Sequence, residues 1–175
     1  MFKTLILSFF LITNFIYAKG KTELAGDVLT LLIPSVAYGT TLVTGDKEGQ
    51  MEFYKSYGST VALTSILKKT VRERRPNNSS STESFPSGHT SSAFSGATFI
   101  HKKYGIEYAI PAYLGAIYTG YSRVHAQKHY THDVIAGALL GMGLSWYFTS
   151  DNKRVRVSPL VDAQTDVGVM VSYNW

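Results

Sequence analysis

The segment Ser122-Arg123-Val124-His125-Ala126-Gln127-Lys128-His129-Tyr130-Thr131-His132-Asp133 sets a cation, a histidine and a carboxylate at fixed offsets, just ahead of an apolar run. His129 and Asp133 are four residues apart, so in a helical segment they share a face and can touch. A carboxylate on one ring nitrogen fixes the tautomer and leaves the other nitrogen's lone pair free, which makes a histidine a nucleophile. Arg123 is then placed to hold an anion in front of it. Two more groupings share this theme. Lys68 is followed, six residues later, by Arg75-Pro76, and Pro86-Ser87-Gly88-His89 leads from a polar loop into a helical pattern.

The inventory suits a phosphoryl group under attack. Its transition state spreads negative charge over the non-bridging oxygens, and preorganised donors aimed there are usually the largest catalytic term. Lys68, Arg75 and Arg123 supply such donors, the arginines by bidentate contacts. Ser87 and Gly88 stand where a loop enters a helix, where backbone N–H groups bind anions and a glycine lets the ligand come close. His89 is a general-acid candidate for the leaving alcohol, a role typically worth about 10²–10⁴ in rate. On this reading His129 attacks phosphorus, Asp133 stabilises the charged ring, and water later releases phosphate from the phosphohistidine.

These three groupings, in this order and with these internal spacings, resemble the signature of the type 2 phosphatidic acid phosphatase (PAP2) superfamily. That superfamily includes bacterial class A acid phosphatases, lipid phosphate phosphatases and vanadium haloperoxidases. The resemblance runs from Lys68 to Asp133 and implies His129 as nucleophile, Asp133 as its partner and His89 as acid. It implies Lys68, Arg75, Ser87, Gly88 and Arg123 as the phosphate cradle, with no metal or other cofactor required. It also implies an all-helical core with the motifs meeting at one end.

The elements that must position these residues read as helices. Leu24–Val43 carries Pro34 as a point of kinking, and Gly45–Gly49 reads as a turn. Met51–Val71 follows and ends in a charged run stopped by Pro76, while 77–84 is a serine-rich polar loop. His89–Lys102 is rich in small residues, Gly105–Tyr121 comes next, and Asp133–Phe148 closes the set. Thr131 reads as the N-cap of that last helix, with Asp133 in its first turn where the dipole favours a negative charge. Gly137 and Gly141 permit close helix contact. Val167, Val169, Val171, Tyr173 and Trp175 alternate as a strand does, with 154–160 as its partner and 162–166 as the turn. The fold class is therefore all-α, a bundle of about five to six helices with a short C-terminal β-hairpin.

The whole chain bounds these readings. Its 175 residues make one domain, with 1–18 a signal segment, 19–150 the helical domain and 151–175 a tail. Lys3, the apolar run Leu5–Tyr17 and Ala18 have the layout of a secretory signal cleaved after Ala18, and an uncleaved membrane anchor is the alternative. Both readings place the domain extracytoplasmically, in the periplasm or cell envelope. A net charge of +5 favours anionic partners, but the basic residues do not form a nucleic-acid-binding face. Cysteine is absent, which excludes disulfides and thiolate metal sites. The uncharged helical stretches fall just short of the usual spanning length of about 20 residues. Mean hydropathy is near zero. A water-facing, membrane-associated domain is the expectation, and an integral membrane protein its alternative. The expected substrate is a phosphate monoester, with lipid phosphate ahead of a soluble ester. Other readings are a vanadate-dependent haloperoxidase, a non-catalytic envelope binding protein, and a zinc site on His125 and His129 completed by His89 or Asp133. Oligomeric state is not legible in the sequence.

Overall fold

The computed structural model describes residues 20–151 and the backbone of 155–161 and 167–173. The expected signal segment lies outside the described residues. Five helices follow in order: α1 (Lys21–Val43), α2 (Lys47–Val71), α3 (Gly88–Tyr104), α4 (Ile106–His125) and α5 (Thr131–Phe148). Strands β1 (Val155–Val161) and β2 (Val167–Tyr173) then pair antiparallel, Val155 opposite Tyr173 and Val161 opposite Val167. The fold class is as the sequence predicts, a helical bundle with a hairpin appended.

Local chemistry sets the boundaries. Asp46 caps α2 by accepting a hydrogen bond from the Gly49 N–H at 2.8 Å, so the expected turn at 45–49 is cut short and α2 begins at Lys47. The helix ends at Arg72 in a left-handed conformation (φ 52°), whose N–H bonds the Lys68 carbonyl. Gly105, at φ 111°, makes the abrupt connection from α3 to α4. The start of α5 differs from expectation. Tyr130, not Thr131, is the N-cap, because the Asp133 carboxylate reaches back to the Tyr130 N–H at 2.9 Å.

Helix α3 is the central element, packed on all four others. Its sequence explains that position: Ser91, Ser92, Ala93, Ser95, Gly96, Ala97 and Thr98 are all buried and small enough to let neighbours close in. Hydroxyl pairs join it to α2, Ser91 with Thr64 at 3.0 Å and Ser92 with Tyr57 at 2.8 Å. On α5, Gly137 and Gly141 lie so near that a Cβ would fall 2.5 Å from the Ser87 carbonyl oxygen and 2.3 Å from that of Ser91. Larger apolar side chains gather at the far end, around Phe53, Phe99 and Tyr104.

The exterior reverses the usual pattern. Leu31, Leu32 and Val36 on α1, Val61 and Ile66 on α2, Ile110, Leu114 and Ile117 on α4, and Ile135 and Leu139 on α5 are all exposed. Small hydroxylated residues are thus inside and branched aliphatic residues outside. By length and composition, α1 is the one described helix fit to cross a membrane.

Candidate active site

All the residues singled out in the sequence lie at one end of the bundle, where α2 and α4 finish and α3 and α5 begin. His129 is not on a helix; it sits in the turn before α5. The expected helical face is therefore absent, yet the pair still meets, with His129 Nδ1 3.5 Å from Asp133 Oδ2. The capping contact between Asp133 and Tyr130 draws the turn back over the helix start and delivers this approach. Asp133 is fully buried. Its Oδ2 also accepts from the Ser84 hydroxyl at 2.6 Å, which fixes the carboxylate under the imidazole.

The charges of Lys68 and Arg75 act on the same ring. Lys68 Nζ donates to the Glu83 carbonyl at 2.7 Å and approaches that of Ser84 at 3.4 Å, tying the end of α2 to the loop before α3. Arg75 has a buried Nε without a hydrogen-bond partner. Among the described residues, neither cation forms an ion pair. Burial holds the His129 ring well below its ordinary range, at about 4, with the charges of Lys68 and Arg75 adding to the effect and Asp133 opposing it. At neutral pH the imidazole is thus uncharged, the form that can attack. Burial also lowers Lys68, to about 8, with Arg75 acting in the same sense. Near pH 7 it remains mainly protonated, a half-buried cation.

Ser87 caps α3, its Oγ 2.9 Å from Thr90 Oγ1, and its N–H bonds the Asp133 carbonyl at 3.0 Å. The start of α3 is thereby fastened to the start of α5. Gly88 opens α3 beside Lys68, whose Cε would lie 3.6 Å from a Cβ placed there. His89 and Arg123 form a second group, joined to the first through Gly88. Arg123 is buried, 2% exposed, and its three nitrogens are all engaged. Nε donates to Ser122 Oγ at 3.0 Å, Nη1 to Asp27 Oδ1 at 2.6 Å and Nη2 to the Glu23 carbonyl at 2.6 Å. The same Asp27 oxygen lies 3.1 Å from His89 Nε2.

Reading the sequence missed Asp27, Ser84 and the role of Glu23. The signal available for the first and last was faint: two acids four apart near the start of an otherwise apolar stretch. Ser84 was one serine in a serine-rich loop. The alternative zinc set of His125, His129 and His89 or Asp133 is not among the metal-capable clusters of the described residues. His125 stacks on Tyr121 at 5.6 Å, and the metal-capable cluster among the described residues is instead Glu73, His132 and Asp133. Lys68 acts electrostatically on the same Asp133, which opposes a dication there.

Known proteins resemble this chain in sequence and fold. The family model described as the PAP2 superfamily matches residues 51–156. The lipid A 4'-phosphatase of Helicobacter pylori (strain J99) is 38% identical over 96 residues, which cover 51% of this chain and 48% of that protein. The lipid A 1-phosphatase of Porphyromonas gingivalis is 41% identical over 73 residues, 39% of this chain and 16% of that protein. The matches thus span about half the length of one relative and a sixth of the other. The crystal structure of Aquifex aeolicus LpxE superposes with a TM-score of 0.54 at 25% identity, over 70% of this chain and 84% of that one.

Proposed function

The chain belongs to the PAP2 superfamily, and on that premise we propose that it is an extracytoplasmic phosphatase that hydrolyses lipid phosphate monoesters through a phosphohistidine on His129. One observation carries the reading. Lys68 and the unpartnered Arg75 Nε converge on a buried, neutral histidine backed by a carboxylate, with no ion pair to either cation among the described residues. A phosphoryl group supplies the missing negative charge, and its oxygens supply the missing acceptors.

With Nδ1 turned towards Asp133, Nε2 of His129 is the attacking atom. Lys68, Arg75 and Arg123 hold the non-bridging oxygens, and the N–H groups opening α3 at Gly88 add to the cradle. As the nitrogen–phosphorus bond forms, the ester bond breaks and the leaving oxygen takes a proton from His89. Water then attacks phosphorus with His89 as base, and His129 is regenerated. Asp133 meets the positive charge that develops on the ring during the intermediate's lifetime.

The apolar exterior supports a lipid substrate, since it would hold the bundle among acyl chains with the site at one end. The lipid A phosphates named for the two relatives are the first lipids to test. The experiment pairs a phosphorylated glycolipid with p-nitrophenyl phosphate, measuring phosphate release in EDTA by the wild type and His129→Ala. The reading predicts EDTA-resistant release, faster from the lipid and lost in the variant. Release abolished by EDTA would overturn the mechanism, and preference for the soluble ester would overturn the lipid assignment.

A further inference from the structure

We propose that Asp27 is a positioning residue for this reaction, a carboxylate on α1 that holds the acid His89 in register with the phosphate-binding Arg123. The inference rests on the phosphatase reading and goes beyond it, because Asp27 lies outside the three motifs and outside the residues 51–156 matched to the family. Its Oδ1 accepts from Arg123 Nη1 at 2.6 Å and faces His89 Nε2 at 3.1 Å. One oxygen thus joins side chains from α3 and α4 to a third helix.

The approach of α1 depends on its neighbour. A Cβ at Gly26 would fall 1.9 Å from Ser122 Oγ and 2.8 Å from Arg123 Nη2, so only glycine lets the α1 backbone lie this deep. Arg123 is held from two further sides, by Ser122 Oγ and the Glu23 carbonyl. It therefore serves Asp27 as a fixed anchor rather than a mobile partner. The side chain of His89 is 42% exposed, against 19% for Asp27, so the imidazole is the more accessible of the two.

With Nε2 turned to Asp27, Nδ1 of His89 is the atom that moves the proton. In the first step, the His129 Nε2 lone pair bonds phosphorus. The ester bond breaks with its electron pair on the leaving oxygen, which takes the Nδ1 proton. In the second step, water adds to phosphorus and gives a proton to Nδ1, and the nitrogen–phosphorus bond returns its pair to His129. Asp27 fixes the ring plane in both steps and faces the imidazolium form of His89 with a negative charge. Misplacing such a group by about 1 Å can cost on the order of 10²-fold.

The test separates this role from a merely structural one by leaving group. p-Nitrophenolate departs without a proton, whereas an alkoxide needs one. Full-length Asp27→Asn is assayed on p-nitrophenyl phosphate and on an alkyl phosphate. Turnover of the alkyl ester is expected to fall by about 10–100-fold, within what a general acid contributes, and that of the aryl ester by less than about 3-fold. KM for both should stay within about 3-fold, since Arg123 keeps its other two contacts. Placed in a His89→Ala background, Asp27→Asn should cost nothing further. Equal losses on both esters, no loss on either, or losses that add to those of His89→Ala would overturn the proposal while leaving the phosphatase reading intact. Should Asp27→Asn fail to fold, Asp27→Glu displaces the carboxylate by one methylene and must show the same leaving-group dependence; an equal loss on both esters again overturns it. A folded wild type that hydrolyses neither ester nor lipid phosphate would sink the phosphatase reading, and this proposal with it.

Discussion

Cations stand at both ends of the bundle, and Lys103 at the far end is treated in the opposite way to the half-buried Lys68 and Arg75 at the site. At the far end, Lys103 is 2% exposed and lies 2.8 Å from Glu52 and 3.5 Å from Asp46. Both carboxylates have second duties, Asp46 capping α2 and Glu52 accepting from the Ser150 N–H. One charge is enclosed by two of opposite sign. At the site end, Lys68 and Arg75 stand together without an ion pair among the described residues, and Arg75 Nε, His129 Nδ1 and Asp133 Oδ1 lack hydrogen bonds. A closed cluster of buried charge is costly to break, whereas open polar atoms beside a half-buried cation suit a ligand that would complete them.

Exchanging the roles of the two ends is the sharpest way to break this comparison. Arg75→Ala should lower kcat/KM for phosphate esters by about 10²–10³-fold, the usual cost of one charge-stabilising donor. Its melting temperature should not fall, since the variant removes a half-buried cation that has no ion pair among the described residues. A large drop in melting temperature with activity retained would make Arg75 structural. Lys103→Ala should do the reverse, costing about 3–5 kcal/mol in denaturant unfolding because two carboxylates are left facing each other. The remaining folded protein should turn over at the wild-type rate.

A smaller effect tests the packing that joins the ends. At Gly141 an added Cβ meets the Ser91 carbonyl oxygen at 2.3 Å, so Gly141→Ala must push α5 from α3. The expected loss is about 1–3 kcal/mol in unfolding experiments. An unchanged midpoint would show that the two helices lie further apart.

Titration sharpens the site end alone. His129 must be neutral to attack, and kcat/KM should therefore rise with pH through about 4. Lys68 must be charged to hold phosphate, and kcat/KM should fall as pH rises through about 8. The same lowering of His129 from 6.5 carries a stability consequence. The unfolded chain binds more protons than the folded one between the two values, so this contribution is present above pH 6.5 and is lost as pH falls towards 4. His129→Gln should flatten that part of the stability profile. Least demanding is ligand binding: inorganic phosphate at about 100 times its dissociation constant should stabilise the wild type by about 2.7 kcal/mol, and Arg75→Ala much less.

What the sequence made legible follows from how local each feature is. The three motifs could be read because their members are close in the chain, and turn, cap and helix end bring them together whatever the rest does. His129 and Asp133 met the expectation of contact by a different route, a capped turn in place of a helical face. Asp27 was not legible, since 96 residues separate it from Arg123 and no local spacing announces the pair. The apolar exterior was hidden for another reason. Mean hydropathy sums small polar residues inside with aliphatic ones outside and reports neither. The hairpin was readable from strict alternation alone, and its register places Val157 opposite Val171.

The most direct test of the central claim is to trap the intermediate. Turnover of a lipid phosphate is quenched in alkali, where a phosphoramidate survives, and the digest is examined by mass spectrometry. The account predicts a phosphoryl group on His129, absent from His129→Ala, that decays when substrate is exhausted. A phosphoryl adduct on another residue, or phosphate release that persists at the wild-type rate in His129→Ala, would contradict it.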